Sequence, residues 1–183
     1  AAPLPAEVLE IASSVIPTPV VLVIMGVSGS GKSTIGMMIA DRLGWAFEEG
    51  DSLHPVANVA KMAAGHPLTD EDRWPWLERV ADWADGQLDA GSSGVITCSA
   101  LKRGYRDLIN RRGTGVEFVY LEVAKSELED RVENRPGHFM PASLLDSQLE
   151  TLEPPTKDEP CVRVNAGPDA RLDCDEVLRQ LGI

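Results

Sequence analysis

Positive charge is scarce in this sequence: 17 Lys and Arg stand against 29 Asp and Glu, a formal net charge of −12. A nucleic-acid surface needs a positive field along its contact face, so the balance argues against that partner. Cysteine is scarce too. Cys98, Cys161 and Cys174 make no paired framework and no metal-ligand spacing, which suits a reducing cytoplasm. Long apolar runs are missing. The longest, Val20 to Met25, is far too short to cross a bilayer, and no membrane partner is expected. No basic segment precedes that run, so no signal peptide is expected, and the opening "AAPLPAEVLEIASS" reads as a loosely attached lead-in. Internal repeats and low-complexity segments are absent. What remains is one domain over residues 1–183, long enough to bury roughly 70% of its unfolded surface without staples.

Short apolar runs alternate with segments of helical period. "VVLVIM" (Val20–Met25) reads as a buried strand, and Ile35, Met38, Ile39 and Leu43 follow as one face of a helix ending at Gly44. "WAFEEGD", "GVITCS", "EFVYLEV" and "CVRVNA" supply four further strands. Between them lie a short helix closed by Gly65, a longer one from about Pro75 with "DRW" as the turn leading in, and one lined by Leu101, Tyr105, Leu108 and Ile109. Ser126 and Glu129 have capping-box spacing for a helix through Val132, Pro141 opens another, and Val177, Leu178 and Leu181 end the chain on a last one. The alternation predicts an α/β three-layer fold: a five-stranded parallel sheet with helices on both faces.

"GVSGSGKST" carries the strongest signal. Gly26, Gly31, Lys32 and Ser33 complete G-x-x-x-x-G-K-[ST] between a buried strand and an amphipathic helix. The loop Gly26, Val27, Ser28, Gly29, Ser30, Gly31 can curl so that its N–H groups point at phosphate oxygens, with Thr34 continuing the helix whose positive end faces the same anion. Lys32 would neutralise the β- and γ-phosphates of a nucleoside triphosphate, and the Ser33 hydroxyl would ligate Mg²⁺. A chain this short has little room to couple hydrolysis to motion, which favours a small-molecule kinase.

The acceptor end is expected at "GDSLHP", which leaves the second strand beside the glycine loop, where open parallel sheets bind ligands. Asp51 is placed there to orient a hydroxyl nucleophile, take its proton or help position Mg²⁺; capping of the following turn is the competing reading. His54 stands equally between acceptor contact and a structural turn residue before Pro55. Lys102, Arg103 and Arg106 lie opposite an apolar helical stripe and near its start, where cations oppose the helix dipole, so a bound anion would offset their cost; a solvated surface face is the alternative. Arg131 and Arg135, one helical turn apart, flank "RPGHFMP", a lid loop at about 131–141 of the kind that closes over a nucleotide. Arg131 would stack on adenine and Arg135 reach phosphate, with an intrahelical Glu127 pair competing for Arg131.

Together GVSGSGKS, GDSLHP, "NVAKMAAGHPLTDEDRWPWL", "CSALKRGYRD", RPGHFMP and "LETLEPP" resemble the thermoresistant-type gluconokinase family, in that family's order from Gly26 to Pro155. The resemblance implies a nucleoside-monophosphate-kinase-like fold, usually a homodimer, transferring the γ-phosphoryl group of ATP to the 6-hydroxyl of D-gluconate with Mg²⁺. It implies that Asp51, His54, Lys61, Arg73 and the Lys102–Arg106 face converge on the sugar acid, with an acceptor subdomain at about 56–90 and His138 approaching from the lid. Trp74 and Trp76, within that segment, are candidates to line the acceptor pocket, but a tryptophan beside a helix start more often packs, so Trp76 is left out of the site. In "VENRPGHFM" a single Arg135 stands where relatives often carry more basic residues. The competing readings are a similar kinase acting on shikimate or a nucleoside monophosphate, and an ATP-dependent switch that binds protein.

Overall fold

Five strands run parallel in the order β2-β3-β1-β4-β5: β1 (Val21–Met25), β2 (Ala46–Glu49), β3 (Gly94–Thr97), β4 (Val116–Glu122) and β5 (Cys161–Asn165). The computed structural model describes residues 17–133 and 142–183. Every residue of β1 is buried, as a central parallel strand requires, and Val21 pairs with Gly94 on one side and Val116 on the other. Its alternate side chains divide the core. Leu22 and Ile24 pack against Ile35 and Ile39 of α1 (Lys32–Leu43) and Val177 and Leu181 of α7 (Ala170–Leu181). Val21, Val23 and Met25 pack against Leu77 and Val80 of α3 (Asp70–Asp89) and Tyr105 and Ile109 of α4 (Arg103–Ile109). The sheet therefore has helices on both faces, as the alternation predicts.

The remaining helices are α2 (Val56–Ala63), α5 (Lys125–Glu133) and α6 (Ala142–Thr151). Two boundaries differ from expectation. α3 starts at Asp70, not near Pro75: Thr69 accepts the Asp72 amide at 3.2 Å while the Asp72 carboxylate accepts the Thr69 amide at 2.8 Å. That reciprocal cap satisfies two amides at the helix entrance, so "DRW" is helical and Pro75 lies in the second turn. α5 starts at Lys125, which puts Ser126 inside the helix and not at its cap. Among the described residues no helix is long and apolar enough to cross a membrane.

The topology sets the site. With all strands parallel, the segments after β1, β2 and β3 leave the same edge of the sheet, bringing the glycine loop, Gly50–Leu53 and Ser99 together.

Candidate active site

The glycine loop runs from β1 into α1 through backbone that side chains tolerate poorly. Gly26 has φ +146°, and a Cβ there would meet Ser30 Oγ at 2.9 Å and the Leu121 carbonyl at 3.0 Å. Lys32 opens the helix and folds its ammonium back, donating to the carbonyls of Gly26 and Val27, both at 3.0 Å. The buried Ser30 hydroxyl has no hydrogen-bond partner among the described residues, a sign of a loop shaped around something besides its own chain. Arg131 reaches this loop from α5. It donates to the Gly29 carbonyl at 2.9 Å and the Gly167 carbonyl at 3.1 Å while keeping the intrahelical Glu127 pair at 3.1 Å. The competing expectation for Arg131, the intrahelical Glu127 pair, is therefore formed, and the same guanidinium also ties α5 to the glycine loop. Ser30, Gly31, Thr34, Arg131, Gly167 and Pro168 line a hollow of about 290 Å³ beside the loop.

Ser33 shows an arrangement that the sequence reading missed. Its hydroxyl donates to Glu49 Oε1 at 2.6 Å, and Thr97 Oγ1 donates to the same oxygen at 2.7 Å. Glu49 ends β2 and Thr97 ends β3, paired in register, so the carboxylate is held by two strands and aimed at the first turn of α1. "EEGD" offered two adjacent acids with nothing local to choose between them; period-2 alternation along a strand was the available signal.

The next residue fixes the acceptor turn. The Gly50 amide donates to Thr97 Oγ1 at 3.1 Å, and the Trp76 indole donates to the Gly50 carbonyl at 2.8 Å. A Cβ on Gly50 would lie 1.8 Å from the Thr97 carbonyl oxygen, so only glycine allows β2 to approach β3 this closely. Gly50→Ala is expected to lower stability by about 1–3 kcal/mol and to depress kcat with it; thermal denaturation and initial rates on one preparation check both.

Asp51 follows in a 3-10 turn, Gly50–Leu53, with its side chain 67% exposed on the cleft. The His54 ring is almost wholly buried and stacks on Trp76, ring centroids 3.9 Å apart and planes at 19°. Its Nε2 lies 3.9 Å from Asp51 Oδ1. Burial pushes the imidazole pKa down to about 4; the Asp51 charge opposes this and Arg73 adds to it. Because the unfolded chain protonates His54 near the ordinary 6.5, its contribution to stability is lost as pH falls from 6.5 toward 4. Trp76, assigned to packing, does both jobs: 2% exposed, it belongs to the core and also lines the cleft.

The cleft these elements enclose has a volume of about 310 Å³. It is lined by Ser28 and Lys32 of the glycine loop, by Asp51, Ser52 and His54, and by Arg73, with Val59, Met62 and Leu68 adding apolar surface and Ser99 and Gln148 completing the lining. Gln148, on α6, accepts the Ser28 amide at 2.6 Å through its side-chain oxygen. It escaped the sequence reading because 120 residues separate the pair.

The expected cations divide into three groups. Arg73 reaches the cleft and donates to the Tyr105 hydroxyl at 2.9 Å. Lys61 and Lys102, both expected at the acceptor, do not line the cleft and are paired with carboxylates, Asp72 at 2.5 Å and Asp70 at 3.2 Å. Hydrogen bonds from Tyr105 and Lys102 hold Asp70 below the usual carboxylate range, and the Lys61 bond brings Asp72 down to about 2. Tyr105 also donates to Asp70, so Arg73, Tyr105, Asp70 and Lys102 form one chain of contacts.

Arg103 and Arg106 require a correction. Both line a different hollow, with Asp107, Asp158 and Glu159, and neither lines the cleft. Arg106 is 2% exposed, so it is not on a face opposite the apolar stripe: it lies one residue past Tyr105 and three before Ile109, at the stripe's edge. The anion that offsets cations at this helix start is supplied by the chain itself, through Glu153, Asp158 and Glu159. Arg135 and His138 lie outside the described residues, with the rest of the lid loop from 134 to 141 and the lead-in from 1 to 16.

Comparison with known proteins identifies what the chain is similar to. A family model described as an AAA domain matches residues 21–155. The gluconokinase of Gluconobacter oxydans (strain 621H) is 52% identical over 161 residues, 88% of this chain and 90% of its own. Among solved structures, a sugar kinase from Janibacter sp. HTCC2649 superposes with a TM-score of 0.84 at 46% identity, covering 91% of this chain and 96% of that one. A gluconokinase from Sinorhizobium meliloti 1021 gives a TM-score of 0.80, also at 46% identity, with 89% and 91% covered.

Proposed function

The chain belongs to the gluconokinase family, and on that premise we propose that it transfers the γ-phosphoryl group of ATP to the 6-hydroxyl of D-gluconate, releasing 6-phospho-D-gluconate and ADP. The observation that carries this reading is one cleft lined together by Lys32 of the glycine loop, Asp51 and Arg73. Phosphoryl transfer needs little covalent help from the protein, so positioning and charge do most of the work. The glycine loop and Lys32 bind the phosphates, and the Arg131 hollow takes the nucleoside. Arg73 meets the carboxylate of the sugar acid, steadied by Tyr105 and the Lys102–Asp70 pair.

Asp51 takes the proton of the attacking hydroxyl. This role is favoured over metal positioning because the Ser33 hydroxyl is paired with Glu49 rather than Asp51. Ser33 and Glu49 offer the hard oxygen donors that suit Mg²⁺ and would hold it. When bound, Mg²⁺ neutralises charge on the transferring phosphate. The homodimer, the cytoplasmic setting, the acceptor subdomain at 56–90 and the parts for Arg135 and His138 in the lid belong to the same proposal.

The test is ADP release with Mg-ATP across D-gluconate, other aldonates, glucose, shikimate and AMP. Turnover confined to D-gluconate is expected; turnover with shikimate or AMP instead would reassign the acceptor, and none at all despite tight ATP binding would favour the switch. Within the cleft, Arg73→Ala is expected to raise KM for D-gluconate about 10–100-fold, the worth of a hydrogen bond to a charged group, with KM for ATP nearly unchanged. A rise confined to ATP would place Arg73 on the nucleotide.

A further inference from the structure

Asn58 lies on α2, and its side-chain Nδ2 has two neighbours: the Asp72 carbonyl oxygen at 2.8 Å and His54 Nδ1 at 3.2 Å. A carbonyl can only accept, so the edge of the amide facing Asp72 is the NH₂ group and not the oxygen. That settles the partner bond as well. The same NH₂ group points its second hydrogen at His54 Nδ1, and two N–H groups cannot donate to each other, so Nδ1 must present a lone pair. In a neutral imidazole the proton then resides on Nε2. Residue 58 is 3% exposed, so water does not compete for these bonds, and the Trp76 face stops the ring from turning over.

We infer that Asn58 is a positioning residue that locks His54 as the neutral Nε2–H tautomer, so that His54 presents a fixed donor to the acceptor hydroxyl beside Asp51. This use of the donor rests on the kinase reading; the tautomer does not. His54 Nε2 and Asp51 Oδ1 are 3.9 Å apart, too far to bond directly. The separation suits two groups bonded to one oxygen at about 2.8 Å each. A hydroxyl that accepts from Nε2–H has its own proton left to donate, and Asp51 is the neighbouring carboxylate. The histidine thereby turns the nucleophile's proton toward its acceptor, and the opposite tautomer would offer a second lone pair that competes with Asp51 for it. The charged groups facing the ring are Asp51 from the preceding turn and Arg73 from α3, and neither bonds to Nδ1.

The wild-type protein labelled with ¹⁵N at histidine tests the tautomer without any substrate, by long-range ¹H–¹⁵N correlation at neutral pH. His54 is expected to show a protonated Nε2 and an unprotonated Nδ1; a protonated Nδ1, or averaging of the two, overturns the proposal. In Asn58→Ala the same spectrum should move toward a tautomer mixture, and an unchanged spectrum would show that Asn58 does not set it. Catalysis is read from His54→Gln, whose amide nitrogen reaches the Nε2 position, against His54→Asn, whose amide reaches only Nδ1. At least tenfold higher kcat in His54→Gln is expected, and equal losses would remove the donor role. Should wild type leave D-gluconate unphosphorylated, the kinase reading fails while the spectrum still decides the tautomer.

Discussion

Asp51→Ala is expected to lower kcat for D-gluconate by a factor of about 10²–10⁴, the usual share of a positioned general base, while Tm and the affinity for ATP stay close to wild type. The side chain is 67% exposed at the cleft, so its loss leaves no buried charge unpaired. The turn that carries it is held by the backbone of Gly50, by Thr97 and by Trp76, all of which remain in the variant. A kinetic defect without a folding defect is therefore the signature of the proposed role. Asp51→Asn sharpens the experiment. It keeps the shape and some hydrogen-bonding capacity but cannot take a proton at neutral pH, so it should fall nearly as far as Ala. Near-normal kcat in Asp51→Asn would remove proton transfer from the role of Asp51. Loss of ATP affinity in either variant would move it to the metal, with Ser33 and Glu49.

Legibility in the sequence followed the range of the interactions. The glycine loop was readable because its requirements are local: glycines where the backbone turns, a lysine, a hydroxyl, then a helix. The parallel sheet was readable because buried strands and amphipathic helices repeat with distinct periods. Glu49 was not. Only the registered pairing of β2 with β3 brings Thr97 to the same carboxylate as Ser33, and no short window contains that pairing. The start of α3 was missed for a simpler reason. Pro75 is the stronger first-turn signal on its own, whereas Thr69 and Asp72 have the spacing of a reciprocal cap with aspartate in place of the usual glutamate. Trp76 was read through one role when it fills two, since an indole can pack by its faces and still donate from its edge.

Arg106 is the plainest case, and it yields the largest stability effect. All five N–H donors of its guanidinium are used: Nε and Nη2 on Glu159 at 2.6 and 3.3 Å, Nη1 on the Ala100 and Leu101 carbonyls at 2.8 and 3.2 Å, and Nη2 on the Glu153 carbonyl at 2.9 Å. Ala100 has φ +46°, a left-handed conformation that a non-glycine residue adopts at a cost, so the arginine also steadies a strained turn. Burial pushes the Glu159 carboxyl upward in pKa, but the bonds from Arg106 and the Thr156 amide outweigh it and leave the group lowered. Its contribution is therefore present above the ordinary carboxylate range and lost as pH falls through that lowered value. Removing the cation leaves Glu159, 4% exposed at its side chain, with the Thr156 amide and with Arg103 at 3.9 Å as its remaining cation, and breaking a buried pair from one side costs about 3–5 kcal/mol. For a chain of this size that corresponds to a fall in Tm of about 6–20 °C. Arg106→Ala should show that fall while KM for D-gluconate, measured where the variant is folded, stays within about twofold of wild type. An unchanged Tm with a raised KM would return Arg106 to the acceptor site. Replacing Arg106 and Glu159 together by apolar residues should recover much of the loss, because the expense lies in the abandoned charge rather than in the missing bond.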